Sequence, residues 1–131
     1  AEELGVTSHI KFCGRVSDGE RSALLQKADL FVMPCRAVGN SVEGFGIVYI
    51  EAAMLGLPSL AGRTGGARDA VLDGQTGLLC DGDCEDDIYH TVNKMLSDTQ
   101  KLKEMGQKAQ HRAQTELQWR HIAEKLLRYV G

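Results

Sequence analysis

Glu43-Gly44-Phe45-Gly46-Ile47-Val48-Tyr49-Ile50-Glu51, continued by Ala52-Ala53-Met54-Leu55-Gly56-Leu57-Pro58, decides how this 131-residue chain is read. Turn formers at 37–41 precede it, so the backbone is expected to leave a strand and enter a helix near Gly44 to Gly46. The first N–H groups of a helix have no internal partner, and the aligned peptide dipoles leave partial positive charge there. Such a tip suits an anion, most often a phosphate. A helix running unbroken from Glu43 to Glu51 would set the two carboxylates ~12 Å apart along its axis and ~80° apart around it. That is the reach of a sugar-diphosphate-ribose. Phe45, Ile47, Val48, Ile50, Ala52, Ala53, Met54 and Leu55 make this helix apolar almost all round, so it is expected to be buried.

Outward from this helix, strands and helices alternate. Residues 1–6 read as a helix end stopped by Gly5, and 9–16 as a short strand of alternating polarity. Ser17 with Glu20 three residues on forms a capping-box pattern for a helix through Ala28, with Ala23, Leu24 and Ala28 as its inward stripe. The continuous apolar run 30–35 predicts a strand buried on both faces of a parallel sheet. Beyond the central helix, 58–62 is a strand, 67–72 a short helix, 73–77 a turn and 78–80 a last strand. Strands alternating with helices at this spacing mean an α/β fold with a Rossmann-like parallel sheet.

The acidic stretch 81–87 is tested for calcium and fails, because Asp86 and Val92 stand where the EF-hand loop needs Gly and Glu. Asp83 is expected instead to cap a helix over 84–96, with Glu85, Asp86 and Asp87 at its positive end and Ile88, Val92, Met95 and Leu96 on its buried face. From 100 to 130 an apolar stripe through Leu102, Met105, Ala109, Ala113, Leu117, Ile122, Leu126 and Val130 predicts two helices, broken near 115–119.

The length is one domain's worth, divided into an α/β core over 1–98 and C-terminal helices over 99–131. A net charge of -3 without a Lys/Arg cluster argues against nucleic acid. The apolar runs are shorter than a membrane span and no leader opens the chain, so a cytoplasmic protein is expected. Cys13, Cys35 and Cys80 fall in or at the ends of predicted strands, and with Cys84 they offer one close pair only. Free, buried or half-buried thiols are expected, and no metal site. Gly44-x-Gly46 lacks the third glycine of a dinucleotide fingerprint because Tyr49 stands there. None of His9, His90, His111 or His121 joins a nucleophile in a triad.

With these elements assembled, the sequence resembles the C-terminal half of retaining, nucleotide-sugar-dependent glycosyltransferases of the GT-B fold, which carry an E-x7-E motif. The likeness takes in Phe12-Cys13-Gly14-Arg15-Val16, the 28–34 strand, Gly65-Gly66, the 74–79 turn and strand, and Trp119, in the family's order. The resemblance implies a nucleotide-diphospho-sugar as substrate and no other cofactor. It implies that Glu43 contacts a hydroxyl of the transferred sugar and acts at the catalytic centre. Backbone amides of Gly44, Phe45, Gly46 and Ile47 would hold the diphosphate, and Glu51 would accept from the ribose hydroxyls. Arg15 and Val16 would lie beside the base, and Gly65-Gly66 would form a second turn near the sugar donor.

Each residue has a plainer reading: a helix-dipole glutamate at Glu43, a structural one at Glu51, a surface arginine at Arg15, a generic turn at Gly65-Gly66. Arg68-Asp69 also departs from the family's Pro-Glu. Trp119 reads either as a docking residue for a partner domain or as a core aromatic at a bend. The resemblance further implies that the chain is truncated at its start, lacking two strand-helix units and the N-terminal acceptor domain, and transfers no sugar alone. The gap in the sheet would close by direct pairing of the Phe12 and Leu30 strands, or recruit a second copy into a homodimer. The alternatives are a non-catalytic nucleotide-sugar-binding module and a captured gene fragment that oligomerises.

Overall fold

A computed structural model describes residues 1–38 and 46–118. After a 3-10 turn at Thr7–His9, the elements are α1 (Asp18–Lys27), β1 (Phe31–Met33), α2 (Ile47–Met54), β2 (Ser59–Gly62), α3 (Ala67–Ala70), β3 (Gly77–Cys80), α4 (Glu85–Leu96) and α5 (Thr99–Thr115). The three strands form one parallel sheet in the order β1-β2-β3, with Val32 beside Leu60 and Leu60 beside Leu78. The α/β class and the parallel sheet expected from the sequence are therefore present.

Alternation along the strands sorts the core into two layers. Phe31, Met33, Ala61 and Leu79 face α2 and α3, where they meet Tyr49, Ala67, Ala70 and Val71. Leu60, Leu78 and Cys80 face the opposite way, onto Ile88, Val92 and Met95 of α4 and Leu102 and Met105 of α5. β2 is buried along its whole length, as a central strand covered on both faces should be. Burial also pushes the Cys80 thiol above its ordinary value, and the nearby Asp87 carboxylate adds to this, because both disfavour the thiolate.

α5 joins the two layers. Its Ala109 and Ala113 pack on Ala53 and Ile50 of α2, while Leu102 and Met105 belong to the α4 side. The crossing point is Gly106, where a Cβ would overlap the Gly56 carbonyl and sit 3.2 Å from Pro58 Cδ. Those two residues lead into β2, so α5 closes the amino end of the sheet and leaves the carboxyl ends of the strands uncovered by it.

Several expectations need correction. Residues 9–16 form no strand: Phe12 is 80% exposed, and only β2 pairs with β1 among the described residues. A strand is held by its neighbour's backbone, and this segment has none. The segment 1–6, by contrast, ends at Gly5 as expected: Gly5 N donates to Glu2 O at 3.0 Å and Val6 N to Ala1 O at 3.1 Å, with Gly5 at φ 63°, the bonding of a helix stop. α1 has the predicted capping box but no buried residue, so Ala23, Leu24 and Ala28 are not an inward stripe. In α2 Tyr49, Ala52 and Ala53 are buried while Ile47, Met54 and Leu55 are exposed, so the helix is buried along one side only. In α4 the cap is Cys84, not Asp83, and no side chain caps it. Leu96 is exposed, unlike Met95. Cys13 and Cys84 are exposed free thiols, Cys35 is half-buried and Cys80 buried. No described helix is long and apolar enough to cross a membrane.

Candidate functional site

The carboxyl ends of β1 and β2 converge on the carbonyl of Cys35. The backbone that continues β1 is wedged between two glycines, since a Cβ on Gly62 or Gly82 would overlap that carbonyl. Thr64 Oγ1 donates to it at 3.3 Å. Open parallel sheets place their ligands in the crevice outside these strand ends.

The tip of α2 is fastened to the same place. Tyr49, in its first turn, is 1% exposed, and its hydroxyl donates to the Met33 carbonyl at 2.6 Å. Its ring stands edge-on to Phe31 with centroids 5.8 Å apart. Gly46 is the N-cap in a left-handed conformation at φ 69°, ψ 49°, which a side chain rarely adopts. A Cβ there would also meet Tyr49 Cδ2 at 2.6 Å. Glycine is required at Gly46 on both counts, and α2 has no side-chain cap. The N–H groups of Ile47 and Val48 therefore have no helical acceptor, and the positive end of the dipole is not neutralised by an acidic residue in the first turn.

The strand-to-helix entry near Gly44 to Gly46 was correctly placed, but the helix begins at Ile47. The ~12 Å and ~80° derived for an unbroken helix from Glu43 do not describe this backbone. Glu43, Gly44 and Phe45 lie outside the described residues, as does Trp119. Glu51 lies in the second turn of α2, its side chain 38% exposed, and Arg21 Nη2 of α1 bonds its Oε1 at 3.2 Å. Arg15 is exposed and Val16 half-buried. They follow no strand, contrary to expectation, but immediately precede Ser17, the N-cap of α1. The Arg21–Glu51 pair thus ties the helix behind Arg15-Val16 to α2.

Gly65 has φ 63° and Gly66 is the N-cap of α3, whose Ala70 Cβ lies 3.8 Å from the Cβ position of Gly46. Arg112 of α5 donates to the Asp69 and Ala70 carbonyls at 2.7 and 2.9 Å, capping the carboxyl end of α3. The acidic loop has its own partners: Asp87 Oδ2 accepts from Asp81 N at 2.6 Å and Arg63 Nη1 at 3.5 Å. Among the described residues no three His, Cys, Asp or Glu side chains are grouped for a metal ion. Sequence reasoning missed Tyr49, Arg21, Gly62 and Gly82. The two glycines at and beyond the strand ends were a usable signal, whereas the other two depend on contacts 16 and 30 residues apart.

Comparison with known proteins shows what this fold is similar to. The family model described as "Glycosyl transferases group 1" matches residues 1–112. A GDP-mannose-dependent alpha-(1-6)-phosphatidylinositol monomannoside mannosyltransferase of Mycolicibacterium smegmatis is 43% identical over 122 residues, covering 92% of this chain and 32% of that protein. The chain therefore spans about a third of the length of such relatives. Among solved structures, the sucrose-phosphate synthase of Thermosynechococcus elongatus superposes with a TM-score of 0.83 at 23% identity, over 98% of this chain and 31% of that one. Anabaena Alr3699/HepE in complex with UDP-glucose gives 0.75 at 28% identity, over 95% and 34%. A family match that runs from the first residue into α5, on a sheet and helices shared with GT-B enzymes, means that the chain belongs to the glycosyl transferases group 1 family.

Proposed function

We propose that this domain is the sugar-donor half of a retaining glycosyltransferase and binds a nucleotide-diphospho-sugar at the tip of α2. The observation that carries the reading is the uncapped first turn of α2, opened by the left-handed Gly46 beside the strand ends. The amides of Gly44, Phe45, Gly46 and Ile47 hold the diphosphate, and the glycines admit it to the backbone. Glu51 accepts from the ribose hydroxyls, and Arg15-Val16 lie beside the base. Gly65-Gly66 line the sugar side, where Glu43 contacts a hydroxyl of the transferred sugar. As the glycosidic bond breaks, the departing diphosphate gains negative charge, and a fixed helix tip stabilises it without reorganising.

The base is guanine and the sugar mannose in this reading, because the relative at 43% identity is named for GDP-mannose. The acceptor belongs to an N-terminal domain, so the isolated chain binds the sugar donor and transfers nothing. A second copy is proposed at β1, an outer strand of the described sheet, and a monomeric mass in light scattering would remove that part. Calorimetry with GDP-mannose, UDP-glucose and ADP-glucose tests the whole. Binding is expected with GDP-mannose tightest, and heat from none of the three would overturn the reading. Turnover on addition of an acceptor domain separates an enzyme half from a binding module without catalysis.

A further inference from the structure

We infer that Arg21 is a positioning residue for the Glu51 carboxylate and thereby sets the preference for ribose over deoxyribose. The inference rests on the reading above, in which Glu51 receives the ribose hydroxyls. Glu51 projects from α2 with a half-exposed side chain, and a free glutamate there would lose rotamer freedom on binding. Arg21 bears that ordering in advance. Its Nη2 holds Oε1 at 3.2 Å, and among the described residues no other side chain bonds Glu51. Oε2 is left to accept from a sugar hydroxyl.

The arginine is itself placed by a well-formed helix start. Ser17 and Glu20 close a reciprocal capping box, and Arg21 N donates to Ser17 O at 2.9 Å in the first turn. The same Nη2 lies 3.3 Å from Asp18 Oδ1, whose side chain is 95% exposed. That second contact, with a fully solvated carboxylate, is the weaker competitor. Among the described residues Arg21 has side-chain ion pairs only with Glu51 and Asp18, so its effect on the ligand is assigned to Glu51.

The test is calorimetry of the full chain with GDP and with 2′-deoxy-GDP, read as the ratio of their dissociation constants. A hydrogen bond to a carboxylate predicts that the wild type prefers GDP by about tenfold. Arg21→Ala should cut this preference about threefold, an amount suited to a half-exposed ion pair, with 2′-deoxy-GDP, which keeps one of the two hydroxyls, weakened less than GDP. In a Glu51→Ala background the same substitution should change nothing, and Asp18→Asn should leave the preference at or above wild type. An unchanged ratio in Arg21→Ala overturns the inference alone. So does an equal loss in Asp18→Asn, which would trace the effect to the integrity of α1. A wild type that binds GDP and 2′-deoxy-GDP equally, or binds neither, removes the role of Glu51 and the inference with it.

Discussion

α1 and α5 begin equally well and end up in opposite situations. Each has a side-chain cap, Ser17 accepting from Glu20 N and Asp98 accepting from Lys101 N. Yet α1 buries no residue, whereas α5 buries Leu102, Met105, Gly106, Ala109 and Ala113. The difference shows that a cap fixes where a helix starts and says nothing about whether it will be packed. α5 has the Gly56-Pro58 corner and both layers of the sheet to lie on. Among the described residues α1 has Glu51 of α2 and little else, because the segment ahead of it pairs with no strand.

The contrast is sharpest in thiol chemistry. Cys13, in the same region as α1, should be alkylated by iodoacetamide as a free thiol, while Cys80, beneath α4 and α5, should react only on unfolding; mass spectrometry of timed aliquots reads both. The pH sign follows from the raised Cys80 value. Its contribution to stability is full below the ordinary thiol value and falls as pH rises from there toward the folded one, where the unfolded chain alone ionises. Met105→Ala should cost about 3 kcal/mol in urea unfolding through a cavity under β2. Gly106→Ala should cost about 2 kcal/mol, since its methyl meets the Gly56 carbonyl and backbone must shift.

Smaller effects belong to α1. Ser17→Ala should cost about 0.5–1 kcal/mol by removing the cap. The Glu20 carboxyl is held below its ordinary value by the Ser17 backbone N–H and then by the Ser17 hydroxyl. A depressed carboxylate contributes stability above its unfolded value and loses it as pH falls through the folded one. Ser17→Ala removes only the hydroxyl and keeps the backbone N–H, so the acid limb of the wild-type stability curve should flatten only in part. Leu24→Ala, at a side chain 41% exposed, should fall within about 0.5 kcal/mol. A loss of 2 kcal/mol there would mean that α1 has a packing partner and would erase the contrast with α5.

Much of the site was legible because it is written in local chemistry. Glycine before an apolar helix marked the α2 entry, and the serine-to-glutamate spacing marked the start of α1. Apolar runs of three to six residues marked all three strands. Residues 9–16 carried the same alternating pattern as a strand and failed to become one, because a ladder needs a second backbone. Arg21 looked like any solvent-facing arginine on α1, and its pairing with Glu51 spans 30 positions. The dyad of glutamates was read from spacing on a helix that, in the fold, starts four residues after Glu43.

By itself the sequence determined the order of the described strands and helices, the Ser17 capping box and the glycine-opened tip, because each depends on backbone preferences and neighbours a few residues away. Tertiary structure alone decided which strands pair and which helix is buried. It also decided that Tyr49 latches α2 to β1, that Gly106 admits α5 against Gly56, and that Arg21 meets Glu51. Those outcomes depend on surfaces brought together from distant parts of the chain, where fit and exclusion of water, rather than local preference, choose the partner.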